Sequence, residues 1–305
     1  MSSKDNNIRL TGQTLPSRLY VYARLQDYGL LIKIRLTILV VFSALLAFLI
    51  VQKGNFNIIP FVILAIGGFA ITAAANALNE LLEKDFDRQM KRTADRPVAA
   101  GRMSQTEALL IAGTLFVSGI ILLALFNPLT ALLGATAVVT YAFLYTPLKR
   151  ITPLSVIVGA IPGALPAMIG CVALEGSVST MALVLFGIQF FWQFPHFWSI
   201  GFLSYSDYKH AGFRLVPESN GKIHPDIGLQ SALFSLMLIP IALIPFFIAE
   251  MHILPCLIVV TLSILYAFSG YNLQREKSAE SARLLMFSSF VYLPAALIVF
   301  YLGSI

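Results

Sequence analysis

The chain is poor in charge, in cysteine and in histidine, and each shortage excludes something. Charged residues occupy 12% of its 305 positions, against roughly 25% in soluble domains. That rules out an ordinary cytosolic domain, a disordered chain and a soluble nucleic-acid binder. The two cysteines, Cys171 and Cys256, lie in apolar runs, and neither C-x-x-C nor C-x-x-C-H occurs. Disulfides, zinc and covalent haem attachment are therefore unsupported. The histidines form no H-x-x-x-H pair, which counts against a resident bis-histidine haem. The absence of G-x-x-x-x-G-K-[ST] argues against a nucleotide hydrolase.

What is abundant is hydrocarbon: 58% hydrophobic residues and a mean hydropathy of +0.81. A membrane span needs about 20 mostly apolar residues, because each helical residue rises about 1.5 Å across a core of roughly 30 Å. Nine stretches qualify, approximately 36–52, 58–80, 106–126, 128–146, 153–174, 179–201, 229–249, 252–272 and 283–303. The expected fold is all-α: a polytopic integral membrane bundle of about nine transmembrane helices, one domain over 36–305 behind an N-terminal segment, 1–35. That segment carries Lys4, Arg9, Arg18 and Arg24 but no apolar core of a signal peptide. Leu19–Arg35 reads as an interfacial helix leading into the first span.

The net charge of +6 is explained first by topology. With nine spans, 20 of the 21 basic residues fall on one face and only Lys53 on the other. The positive-inside rule makes the basic face cytoplasmic, so the N-terminus is expected inside and the C-terminus outside. Two segments on that face exceed plain connectors. Residues 76–103 follow the second span and 192–217 the sixth; Asp87 precedes Pro97 by ten positions, as Asp207 precedes Pro217. The match hints at a pseudo-repeat with two polar half-sites facing each other.

If the second span continues as a helix, Asn79, Glu83 and Asp87 stand at i, i+4 and i+8, within roughly 80° of one face. Three oxygen-bearing side chains in a row suit a hard cation such as Mg²⁺. Arg88, Lys91, Arg92 and Arg96 follow at once, and arginine receives phosphate oxygens as a planar fork. The pattern describes a metal-bridged diphosphate site; the plainer reading is a charged loop balancing its own ion pairs. Acids at a membrane end are costly without a role, which favours the site. Glu80 is expected to point away from the stripe, Asp85 to form a local ion pair, and Asp95 to serve a turn.

At these residues a resemblance enters. NELLEKDFDRQMKRTADRP (79–97) resembles the first signature of the intramembrane prenyltransferases typified by UbiA. YTPLKR (145–150), VGAIPGALPAMIG (158–170) and WQFPHFW (192–198) are similar to segments of the protoheme IX farnesyltransferases, a narrower branch. The likeness covers about residues 30–300. It implies the UbiA-like fold, farnesyl diphosphate as donor and haem b as an acceptor rather than a cofactor. Mg²⁺ would be held by Asn79, Glu83 and Asp87, with Arg88 and Arg92 on the diphosphate and Arg96 beside them. It also implies a bacterial plasma (inner) membrane setting, with haem A synthase or terminal-oxidase assembly factors as further partners.

The physics is compatible. Ionising an allylic C–O bond requires the departing diphosphate to be neutralised, and the farnesyl cation must be kept from water. A haem vinyl group then attacks as the carbon nucleophile, and water completes the side chain. On the second segment Asp207 would face the first motif as a metal or diphosphate contact, with Lys209 and Arg214. Position 211 is alanine where the superfamily usually has a second acid, so a single metal ion fits as well as two. Lys149 and Arg150 are read either as propionate ligands or as topology charges. His196 is a haem contact or a hydrogen-bonded core residue; Tyr145 and Trp192 flank the porphyrin or the cation, or simply pack. The competing functions are an aromatic quinone precursor as acceptor, a transporter, and an oxidase-assembly factor without catalysis.

Overall fold

A computed structural model describes residues 17–54 and 56–305, so the expectations for Lys4 and Arg9 lie outside the described residues. The first helix, α1 (Ser17–Leu31), exposes Val21, Tyr22, Leu25 and Leu30 and turns Asp27 and Leu31 inward. Lys33, in a left-handed conformation, breaks it from α2 (Ile34–Gln52). Then come α3 (Ile58–Asp87), α4 (Gln105–Ala124) and α5 (Pro128–Val139), each started by a side-chain cap, Asn57, Ser104 and Asn127. These caps satisfy amide groups that open at a helix start. A π-helical segment, Thr140–Tyr145, and one turn, α6 (Thr146–Leu148), continue α5. The chain proceeds through α7 (Ser155–Glu175), α8 (Thr180–Leu203) and the short α9 (Tyr205–His210). A two-strand hairpin, β1 (Glu218–Ser219) and β2 (Lys222–Ile223), precedes α10 (Ile227–Leu236), α11 (Leu238–Phe247), α12 (Ile253–Glu276) and α13 (Ala279–Ser304).

Among the described residues eight spans are long and apolar enough to cross a membrane, counting Pro128–Leu148 and Ile227–Phe247 as single rods. The ninth expected span is present as α8, 24 residues long, but Gln189, Gln193, Pro195 and His196 interrupt its apolar run. Those glutamines face inward. Gln189 Oε1 accepts from Ala167 N (3.3 Å) and Gln193 Nε2 donates to Ala160 O (3.2 Å), so both bind the backbone of α7. Polar residues in lipid hold helices together in this way.

Each long span packs on the next and α13 returns to α2, while α7 also lies against α2 and is the most enclosed of the membrane-length helices. The outward residues, such as Leu39, Leu110, Val117, Leu265 and Val291, are large and apolar, as a lipid-facing surface requires. The α2–α7 contact depends on Gly170. A Cβ there would stand 2.1 Å from Ala44 O, a backbone atom that cannot turn aside. Gly170→Ala should therefore cost about 1–3 kcal/mol as overpacking. Thermal unfolding in detergent should show a midpoint several degrees lower; an unchanged midpoint would contradict this packing.

Candidate active site at the end of α3

The α3 helix does not stop at an apolar boundary. It runs 30 residues, and its last two turns carry the acids. Asn79, Glu83 and Asp87 are all buried, at 1%, 5% and 0% exposure, on one side of the helix as the i, i+4, i+8 spacing predicts. Each is met by a cation. Lys33 Nζ donates to Asn79 Oδ1 (2.8 Å), Lys149 Nζ pairs with Glu83 Oε1 (2.5 Å), and Arg96 Nη1 donates to Asp87 Oδ2 (2.7 Å). Asn79 Nδ2 also donates to Thr146 Oγ1 (3.0 Å).

The three cations come from three separate places: the α1–α2 break, the end of α6 and the loop after α3. Lys149 lies over the rings of Tyr145 (4.7 Å) and Phe213 (5.7 Å). Burial pushes the Lys33 ammonium down to about 7; the positive Arg96 and Lys149 push the same way, against Glu83 and Asp87. Three basic side chains thus converge on the stripe, two of them in ion pairs with its carboxylates.

The donor set fits a hard divalent cation. Asp87 Oδ1 is buried without a hydrogen-bond partner, and Glu83 Oε1 meets the Lys149 ammonium. Among the described residues no three His, Cys, Asp or Glu side chains cluster for metal binding. Two carboxylates and an amide oxygen match an ion such as Mg²⁺, which keeps water and takes phosphate oxygens as further ligands.

Several expectations for the surrounding residues change. Arg88 does not turn to the stripe: its side chain is 55% exposed, tied to Ala99 O (2.7 Å) and Asp85 Oδ1 (3.2 Å). The arginine on Asp87 is Arg96. Lys149 is drawn into the stripe instead of remaining free for a carboxylate ligand, and Arg150 lies over Phe86 (4.4 Å). The second segment does meet the first, but through Tyr208: Arg92 Nη2 donates to Tyr208 Oη (3.1 Å), and Met90, Tyr208, Ala211 and Phe213 form a common apolar patch. Asp207, one position earlier on the short α9, is only half-buried and has no side-chain hydrogen bond or ion pair to the stripe. Lys209 donates to Gly221 O (2.6 Å) and Arg214 Nη1 to Ile151 O (3.5 Å), so both fasten loops.

Trp192 and His196 form a separate aromatic group between α8 and α13. Their rings stack at 5.0 Å, His196 Nδ1 is hydrogen-bonded to Ser289 Oγ (2.7 Å), and Trp192 Nε1 donates to Ser289 O (2.8 Å). Tyr145 packs under Lys149 and against Gly159. Lys33, Thr146 and Tyr208 are the neighbours the sequence did not single out. Thr146 lay within the YTPLKR segment and Tyr208 beside a singled-out acid. Glu80 is also corrected: it is fully buried. Seven residues separate it from Asp87, about 20° short of two full turns, so the two share a side. A cavity of about 480 Å³ lined by Lys53, Glu175, Ser179 and Glu250 lies away from these residues, beyond the other end of the spans.

Comparison with known proteins gives the family and the fold. The UbiA prenyltransferase family matches residues 40–291. A protoheme IX farnesyltransferase from Cytophaga hutchinsonii is 38% identical over 93% of this chain and 99% of its own. One from Christiangramia forsetii is 41% identical over 92% and 94%. Among solved structures, a digeranylgeranylglyceryl phosphate synthase superposes with a TM-score of 0.77 at 17% identity, covering 92% of this chain and 99% of that one. A UbiA homolog from Archaeoglobus fulgidus bound to GPP and Mg²⁺ gives 0.65 at 17%, covering 90% and 99%.

Proposed function

Because the chain belongs to the UbiA prenyltransferase family, and within it to the protoheme IX farnesyltransferases, we propose that it transfers the farnesyl group of farnesyl diphosphate to a vinyl group of haem b, making haem O. The observation that carries this reading is the meeting of buried Glu83 and Asp87 with Lys149 and Arg96 at one end of an apolar bundle. Asn79, Glu83 and Asp87 would hold Mg²⁺, which when bound supplies positive charge to the leaving diphosphate. Arg96, Lys149 and Arg92 receive its remaining oxygens. The aromatic and apolar walls exclude water from the farnesyl cation until the terminal vinyl carbon has closed the new C–C bond; water then adds to the resulting carbocation and loses a proton, giving the hydroxyethyl group. Trp192 and His196 belong to the acceptor side, with the imidazole held by Ser289. No protein nucleophile is required.

The protein is a multi-pass membrane protein. Its charge asymmetry supports a bacterial inner-membrane orientation with the N-terminus and the acidic stripe on the cytoplasmic side. Residues 1–35 then form a cytoplasmic segment whose α1 lies in the interface, and 36–305 form one intramembrane domain. Haem A synthase or an oxidase-assembly factor would take the product.

The test is to incubate the purified protein with haem b, farnesyl diphosphate and Mg²⁺ and to analyse the haem by mass. A hydroxyethylfarnesyl haem is expected. Product from 4-hydroxybenzoate with none from haem would overturn the acceptor and leave the prenyltransferase.

A further inference from the structure

We propose that Glu80 is a positioning residue: it anchors the loop that delivers Arg96 to the acidic stripe, and it does not ligate the metal. After Asp87 the chain folds back on α3, and the return path is fixed at a few points. Glu80 Oε1 accepts from Val98 N (3.1 Å), two turns below the place where Arg96 grips Asp87. Pro97, with its locked φ, joins the two contacts as a short stiff link. Arg88 binds the same loop at Ala99 O (2.7 Å), and Arg102 ties its far end to Asp27 (2.9 Å) and Asp95 (2.7 Å).

Beneath the loop Leu31, Ala77, Val98, Met103, Ala108 and Ala112 form a small core of their own. Val98 is therefore held on both its side chain and its amide. A buried carboxylate accepting a backbone N–H in a dry setting makes a strong bond, and losing one partner leaves the amide unsatisfied. The second oxygen, Oε2, has no hydrogen-bond partner, so the Val98 amide is the one group hydrogen-bonded to this side chain.

The inference rests on the diphosphate reading of Arg96, and two variants separate the possibilities. Glu80→Gln keeps an acceptor oxygen for Val98; Glu80→Met keeps the bulk, removes the acceptor and suits an apolar surrounding. Hydrogen–deuterium exchange in detergent reads residues 96–100 without any turnover. Titration with pyrophosphate and Mg²⁺ reads the anion site without haem. Glu80→Gln should match the parent protein in exchange and bind pyrophosphate within about twofold. Glu80→Met should exchange faster over 96–100 and bind about tenfold more weakly, with kcat changed far less than KM for farnesyl diphosphate. Adding Arg96→Ala to Glu80→Met should cost little beyond Arg96→Ala alone, since both remove one interaction.

A Glu80→Gln protein as inactive as Glu80→Met, with parent-like exchange, would make Glu80 a direct ligand and overturn the proposal. So would parent-like exchange in Glu80→Met. If the parent protein bound no pyrophosphate, the diphosphate reading would fail while the exchange result still decided the anchor.

Discussion

Asp87→Asn should reduce farnesyl transfer by about a thousandfold while the protein still elutes as a folded species. The side chain is fully buried and its two oxygens differ: Oδ2 accepts from Arg96, whereas Oδ1 is without a hydrogen-bond partner. Asparagine keeps the shape and removes the charge. A hard divalent cation then loses one of two carboxylates, and a loss of that size is what removing a preorganised charge from a transition state typically costs. The fold should tolerate the change, because the membrane-spanning part of α3 buries Leu64, Ala70, Ile71, Ala73, Ala74 and Ala77, far from Asp87. Initial rates at rising Mg²⁺ provide the measurement. A variant with parent-like turnover would remove the metal site from the end of α3.

Lys149→Met is expected to act on the donor. Sequence reading left Lys149 open as a propionate ligand, but its ammonium sits 2.5 Å from Glu83 and both side chains are about nine-tenths buried. Removing one partner of a buried pair leaves the other charged and unpaired, a loss on the order of 3 kcal/mol, and here it also withdraws a cation from the diphosphate. KM for farnesyl diphosphate should rise about tenfold to a hundredfold, the loss of one charge-assisted contact to the diphosphate. Haem affinity, read from the Soret shift on titration, should not move. The reverse pattern, weakened haem binding with an unchanged KM, would return Lys149 to the propionates. Arg150→Ala serves as the comparison, since that side chain rests on Phe86, and it should alter neither value by more than about threefold.

The fold was legible because lipid imposes a simple rule, and apolar length alone located every rod. Even α8, too polar for a strict criterion, was found, and its glutamines turned out to serve α7. The stripe was legible for a related reason: an oxygen ligand every fourth residue is a helical address. What sequence spacing could not give was the partner of each ligand. Lys33 reaches Asn79 across 46 residues and Lys149 reaches Glu83 across 66, and no periodicity links such pairs. Arg88 and Arg96 looked alike in a basic run. Only the fold-back of the loop decides that the first staples the backbone and the second meets the acid. Asp207 carries no helical phase to place it, because α9 has only six residues.

The π-helical turn at Thr140–Tyr145 has a consequence for how one rod serves two surroundings. A wider turn inserts a residue without lengthening the helix by a full step, so whatever follows is rotated into a new angular frame. Before it, Leu132 and Val139 look toward hydrocarbon; within it, Phe143 and Leu144 still do, while Ala142 and Tyr145 are enclosed. After it, Thr146 and Lys149 find Asn79 and Glu83. The turn acts as an angular gear, letting a lipid-facing span end with its polar residues aimed inward.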